Sequence, residues 1–411
     1  MSTKTREQAR TGVVGLLAAA VAVTAFAAPA QAQDQSSKAP RHTATQQAMD
    51  AIVAGGIPGV VAQSRDGQRV WKGTSGVGNR ETGKARGKND RFRIASITKT
   101  FVATVLLQME AEGKLDLDDT VEKHLPGVVS GNGNDGNKIT VRQLLNHTSG
   151  IFNYTSDPEY GAKYLIGESF LQHRYDTLTP EFHVSVAMKH RPGFEPGTSF
   201  SYSNTNYVLS GLIIEKVGGN TYEHEVSERI IKPLGLKATS QPGDSPHMPR
   251  PSGRAYSKLF VDQPNAKIHD VTEMNGSQGW ADGDIISTAG DLNRFFKALI
   301  TGKVLPPEQL KAMKTTVSAP DWGPDMGYGL GIIKSRTSCG TQLWGHGGGI
   351  AGSLSNVVTT EDGRRQFSYN LNGDWGAQSS PDITDVEFCG NAGTKPPAKF
   401  TQGKATSGRT S

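Results

Sequence analysis

The stretch "RFRIASITKTFVATVLLQMEAEGKL", residues 91–115, decides the reading of this chain. Ser96 and Lys99 stand one helical turn apart, ahead of Phe101, Val102, Val105, Leu106 and Met109 at helical spacing, and Gly113 stops the pattern. Apolar residues around most of the circumference predict a buried helix. A serine hydroxyl is a poor nucleophile until something takes its proton. A lysine three residues further on lies on the same helix face, within reach of the hydroxyl. Burial favours the neutral amine, which is a base, and the helix N-terminus adds unpaired backbone N–H groups. The plain alternative makes Ser96 a cap and Lys99 a solvated side chain. S-x-x-K alone does not separate the two, because about one or two occurrences arise by chance in a chain of this length.

The chain has 411 residues, 35% hydrophobic and 20% charged, as in an ordinary globular protein, and a formal charge of +5. The charge is concentrated at the ends. Lys4, Arg6 and Arg10 oppose only Glu7, and Lys395, Lys399, Lys404 and Arg409 follow the last acidic residue, Glu387. Without those two clusters the body is close to neutral, which gives a nucleic-acid partner little support. The basic start precedes the apolar run "TGVVGLLAAAVAVTAFAA" and Ala30-Gln31-Ala32, a small-x-small pattern. Residues 1–32 therefore read as a secretory signal, too short in its apolar run for a membrane anchor. The mature protein is expected to be secreted, with no membrane association after cleavage. In that compartment Cys339 and Cys389, the only two cysteines, are expected to form a structural disulfide.

Residues 33–44 read as a polar leader. Two short strands flank Asp66-Gly67, a hairpin signal. The middle of the chain alternates helical runs, "TVRQLLNH" and "TNYVLSGLIIEKVGG", with long polar loops, and "TAGDLNRFFKALITG" reads as another helix. Then come "YGLGIIKS" and "TQLWGH", joined around Cys339-Gly340, and "SLSNVVTT" and "RRQFSYNLN", joined around Asp362-Gly363, before a short helix. Strands at both ends with helices between predict an α/β (multidomain α+β) protein. Its antiparallel sheet is built from both termini and flanked by helices, with a mainly helical inserted domain. The expected boundaries are 45–95 plus 281–391 for the α/β sheet domain and 96–280 for the mainly helical domain. Residues 392–411 read as a disordered basic tail.

Two further motifs bear on the serine and lysine. "FSYSNTNYVLSG" places Tyr202 and Asn204 just before a helix, and "LWGHGGGIAG" places His346 and Gly348 at a strand end. A phenol can relay protons between serine, lysine and leaving group, and an amide can orient lysine and substrate. Glycines let a substrate backbone lie close to the strand. Separately, Tyr202 reads as an ordinary core or surface aromatic and the glycines as a tight turn.

The joint order is rarer. With "DRFRIASITKTF", "ITVRQLLNHTSGI", "YSNTNYVLSGLIIEK", "STAGDL", "GYGLGI" and "GHGGG" in sequence, residues from about 45 to 390 resemble the penicillin-recognising serine hydrolases. That family includes class C β-lactamases, D-alanyl-D-alanine carboxypeptidases, D-aminopeptidases and esterases. The likeness is nearest to secreted actinomycete carboxypeptidases, including their paired cysteines. The resemblance implies a β-lactamase/transpeptidase-like fold and an acyl-enzyme on Ser96, with Lys99 and Tyr202 sharing the proton traffic. It also implies an oxyanion site at the backbone N–H groups of Ser96 and Gly349. Asn204, His346 and Gly348 would bind substrate. No metal and no cofactor is implied, and the ten histidines show no zinc-type spacing.

The pattern departs from the carboxypeptidases where it bears on substrate. Gly347 and Gly349 stand where those enzymes carry carboxylate-holding threonines. Lys334, placed opposite Gly345 if the hairpin turns at Cys339-Gly340, is the candidate replacement, or equally a solvated edge residue. Trp280, in "QGWADG", reads as a cleft wall or as core. Gly347, Gly349 and Gly352 satisfy G-x-G-x-x-G, but a strand-like segment follows where a dinucleotide site needs a helix. The leading expectation is a D-alanyl-D-alanine carboxypeptidase acting on cell-wall peptides and acylated by β-lactams. An esterase or D-aminopeptidase of the same family, taking other small acyl substrates, is the alternative, and a non-catalytic β-lactam-binding protein a third.

Overall fold

The computed structural model describes residues 42–261, 263, 265–376 and 382–390. The expected signal, residues 1–32, and the expected tail, residues 392–411, lie outside the described residues, as does most of the polar leader. The leader's last two residues already belong to helix α1, Thr43–Ala54. That helix buries Thr45, Ala48, Met49 and Ile52, spaced to fall on one face.

Strands β1 (Gly59–Asp66) and β2 (Arg69–Gly76) form the expected hairpin. The helix after Ser96 is α2, Thr98–Ala111, with eleven buried residues. α3 (Val141–Leu145) starts with a capping box between Thr140 and Gln143, and α4 (Asn204–Gly218) ends at Gly219 in the left-handed conformation. α5 is a single turn, Trp280–Gly283, and α6 runs Ala289–Ile300. The other strands of the large sheet are β3 (Val317–Ser318), β4 (Gly327–Tyr328), β5 (Ile333–Arg336), β6 (Gln342–Ile350), β7 (Ser353–Thr360) and β8 (Arg365–Leu371), followed by α7, Ile383–Cys389.

These eight strands form one antiparallel sheet in the order β2-β1-β8-β7-β6-β5-β4-β3, so the N-terminal hairpin adds to the C-terminal strands as expected. α1 and α7 cover one face with Met49, Ile52, Ile383 and Val386 against Phe367 and Leu371. The buried carboxylate of Glu387 joins α7 to α1 and β1. It accepts from Thr45 Oγ1 at 2.7 Å and from Ser64 Oγ at 2.6 Å. On the other face, Val61, Trp344 and Val357 share a core with the inserted helices, where Phe101 of α2 stacks on Phe295 of α6 at 3.9 Å. The sheet and the helical segment therefore pack as one body around a common core.

Two details differ from the sequence reading. "YGLGIIKS" is not one strand but β4 and β5, paired with each other. Register also shifts by one in the next hairpin. Thr337 N donates to Thr341 O at 3.0 Å, leaving the three-residue loop Ser338–Gly340 with Gly340 at φ 86°. A three-residue loop with a left-handed glycine pairs strands one residue differently from a two-residue turn. Lys334 accordingly faces Trp344 across the ladder, and Ile333 takes the place opposite Gly345. The Cys339–Cys389 disulfide is formed and ties this loop to the end of α7.

Candidate active site

Ser96 sits in a 3-10 turn, Ala95–Ile97, directly before α2. Ala95 is held at φ 47°, a conformation L residues rarely adopt, and such strain persists only where surrounding structure enforces it. The enforcing element is β6. A Cβ on Gly348 would stand 2.0 Å from Ile94 O and 3.1 Å from Ser96 N, so only glycine lets the strand run against the nucleophile turn.

Lys99 is fully buried in the first turn of α2. Its Nζ donates to Ser96 Oγ at 3.0 Å and to the carbonyl oxygen of Asp282 at 2.7 Å. Loss of solvent lowers its pKa to about 8, an effect partly offset by the Asp282 carboxylate. Oδ1 of that carboxylate lies 3.9 Å from Nζ, and Oδ2 accepts from Tyr154 Oη at 2.8 Å. Burial raises Asp282 to about 6, against the pull of Lys99 and of the Tyr154 hydrogen bond.

Tyr202 arrives from the loop before α4, hydrogen-bonded to Ser96, with its ring 5.1 Å from Lys99 Nζ. Burial, with Tyr328 beside it, holds the phenol well above its ordinary pKa, so it is protonated at neutrality. His147, buried just after α3, lies 4.2 Å from the Tyr202 ring and accepts from Ser203 N at 3.2 Å. His346 Nε2 bonds Tyr328 Oη at 2.9 Å and Nδ1 bonds the Gly347 carbonyl at 2.6 Å. Burial lowers His346 to about 3, which leaves it neutral.

A narrow cleft runs past Ser96, Asn204, Asp282 and Gly349. Leu165, Phe170, Phe260, Met274 and Ile350 make much of its wall. The Asn204 side chain donates to Thr155 Oγ1 at 3.2 Å and leaves its own buried oxygen without a hydrogen-bond partner.

The fold thus gathers Ser96, Lys99, Tyr202, Asn204, His346, Gly348 and Gly349 at one place. Two candidates fall elsewhere. Lys334 is not among the residues lining the cleft, and its register partner is Trp344 rather than Gly345. Trp280 is core: its ring packs edge-on to Tyr222 and its Nε1 donates to Glu223 Oε1 at 3.2 Å. Its neighbour Asp282 lines the cleft instead. Sequence reasoning missed Asp282, Tyr154, His147 and Tyr328. "QGWADG" and "LLNHTSGI" carried the signal for Asp282 and His147, but nothing in a linear pattern tells which side of a one-turn helix faces a lysine.

An eight-stranded antiparallel sheet with a serine–lysine pair at its helical face defines a serine-type hydrolase of the penicillin-binding and β-lactamase fold. The chain belongs to the Beta-lactamase family, whose description residues 43–383 match. It is similar to penicillin-binding protein 4* of Bacillus subtilis (strain 168), 27% identical over 329 residues, covering 76% of this chain and 68% of that protein. Among solved structures it resembles a D-stereospecific amidohydrolase from Streptomyces sp., with 55% identity and a TM-score of 0.81, covering 86% of this chain and 100% of that one. It also resembles the D-amino acid amidase of Ochrobactrum anthropi SV3 complexed with L-phenylalanine amide, at 28% identity and a TM-score of 0.71, covering 85% and 94%.

Proposed function

We propose that this hydrolase acts on amides and esters of D-amino acids with apolar side chains, through an acyl-enzyme on Ser96. The observation that carries the reading is the composition of the cleft. Its wall beside the serine is largely apolar and aromatic, and among the described residues that line it there is no lysine or arginine. A substrate ending in a carboxylate finds no fixed positive charge there, whereas a neutral amide or ester needs none. The substrate assignment therefore moves from the D-alanyl-D-alanine carboxypeptidase to the alternative held beside it. The names of the two amide-hydrolysing structures, and the high identity of one, support the same direction.

In this reading Ser96 Oγ bonds to the carbonyl carbon while its proton passes to neutral Lys99. The negative oxygen is held by the backbone N–H groups of Ser96 and Gly349. Tyr202, protonated and bonded to Ser96, hands a proton to the departing amine or alcohol as the carbonyl re-forms, and recovers one from Lys99. Water then attacks the acyl-serine and restores the enzyme. β-Lactams would acylate the same oxygen. Export belongs to the proposal as well: residues 1–32 have the pattern of a secretory signal, and disulfides persist in oxidising compartments.

The test compares D-phenylalanine amide, its L enantiomer, a D-phenylalanine ester and a peptide ending in D-Ala-D-Ala. Faster turnover of the D amide and ester than of the others is expected. Turnover of the peptide alone would restore the carboxypeptidase.

A further inference from the structure

Below Lys99 lies a carboxylate for which the proton transfers above have no use. Asp282 is 6% exposed, and the one-turn helix α5 delivers it to the underside of the nucleophile pair. Its two functional groups divide the work. The backbone carbonyl takes one Lys99 hydrogen at 2.7 Å and so aims the amine at Ser96. The carboxylate stands 3.9 Å from the same nitrogen and is steadied from behind by Tyr154 Oη at 2.8 Å.

We propose that Asp282 is a positioning residue that sets the charge state of Lys99, and with it the lowest pH at which Ser96 can be activated. The inference rests on the reading of Ser96 as nucleophile and Lys99 as base. A base must be neutral, and a carboxylate within 4 Å in a dry site favours the ammonium. The other groups that bear on Lys99 do not supply this negative charge. Tyr202 and Tyr207 present rings at 5.1 and 5.6 Å, and both phenols are held protonated by burial. His147 and His346 are kept neutral by burial. Around Asp282 itself, Tyr154 and Tyr160 are protonated phenols, and burial raises Asp284 well above the usual carboxylate range. The ionised form of Asp282 is thus the nearest negative charge to the amine. The Tyr154 hydrogen bond favours that form, which extends the restraint on Lys99 to lower pH.

The sign follows directly. Removing the carboxylate lowers the Lys99 pKa and makes the amine a base at lower pH. Asp282→Asn keeps the backbone carbonyl and the side-chain shape, and Tyr154→Phe weakens the ionised carboxylate without touching it. The experiment measures the acylation rate of each against pH with an uncharged nitrophenyl ester. The rising limb is expected about one pH unit lower in Asp282→Asn, and lower by less in Tyr154→Phe. Limbs that coincide with wild type in both variants, with rates reduced evenly at every pH, would make Asp282 a structural brace and overturn the proposal. If Asp282→Asn does not fold, Asp282→Ser, which also keeps the backbone carbonyl and removes the charge, decides: a downward shift supports the proposal and an unmoved limb overturns it. A Ser96→Ala control separates this from failure of the underlying site reading, because ester hydrolysis that survives in it places the nucleophile elsewhere.

Discussion

Gly348 lies so close to Ser96 that a methyl group on its Cα would stand 3.1 Å from the serine nitrogen and 2.0 Å from the carbonyl of Ile94. The placement of Ser96 beside Gly349, the proposed oxyanion pair, therefore depends on a backbone contact between segments some 250 residues apart. Gly348→Ala must push β6 away from the turn. Overpacking against backbone costs roughly 1–3 kcal/mol, and losing one oxyanion donor costs roughly 10²–10³ in kcat. Lower thermal stability together with a large loss in kcat is expected, measured by calorimetry and ester turnover. A variant with normal kcat would show that Gly349 does not need this contact.

Covalent chemistry at Ser96 is directly readable. Ser96→Ala should lose labelling by a fluorescent penicillin while keeping its circular dichroism spectrum. Lys99→Met should slow acylation by roughly 10²–10⁴, since it removes the amine that is bonded to Ser96 Oγ. Persistent labelling of the alanine variant would place the nucleophile elsewhere.

The wild-type pH profile should rise through about 8, where buried Lys99 loses its proton. His346, held neutral down to about 3, should contribute no limb near pH 6 to 7. His346→Gln is expected to change the rate yet leave the limb in place. A limb that vanishes in that variant would assign it to the imidazole.

Lys334 should be dispensable for substrate binding. Its register partner is Trp344, and it does not line the cleft. Lys334→Ala is expected to alter KM by less than about two-fold for both neutral esters and carboxylate-ended peptides, in keeping with substitutions remote from a site. A selective rise for the peptides would return the carboxylate anchor to this residue.

The disulfide closes a 50-residue separation and holds the β5–β6 loop to α7. In the chain-entropy description such a closure contributes about 4 kcal/mol. Cys339→Ser with Cys389→Ser should lower the unfolding midpoint in denaturant, with acylation by the folded enzyme little changed. An unchanged midpoint would mean that the contacts of Glu387 with Thr45 and Ser64 secure α7 unaided.

Much of this protein is legible from local pattern. The buried helix after Ser96, the hairpins at Asp66-Gly67 and Asp362-Gly363, and the left-handed stop at Gly219 follow from periodicity and turn chemistry, which act over a few residues. The one-turn spacing of Ser96 and Lys99 is also local, so their proximity was readable before any tertiary contact was known. Other features depended on packing. One extra loop residue before β6 moved Lys334 from Gly345 to Trp344 as its register partner, and hairpin register is invisible until loop closure is known. In "QGWADG" the large aromatic drew the eye, yet Trp280 fills the core and Asp282 reaches Lys99. Which side of a single turn meets a buried amine is set by how α5 docks between α2 and α4, and no periodicity in four residues records that. Local sequence determined the pairing of Ser96 with Lys99, the proposed nucleophile and base. Their electrostatic surroundings, and the apolar wall of the cleft, came from long-range packing alone.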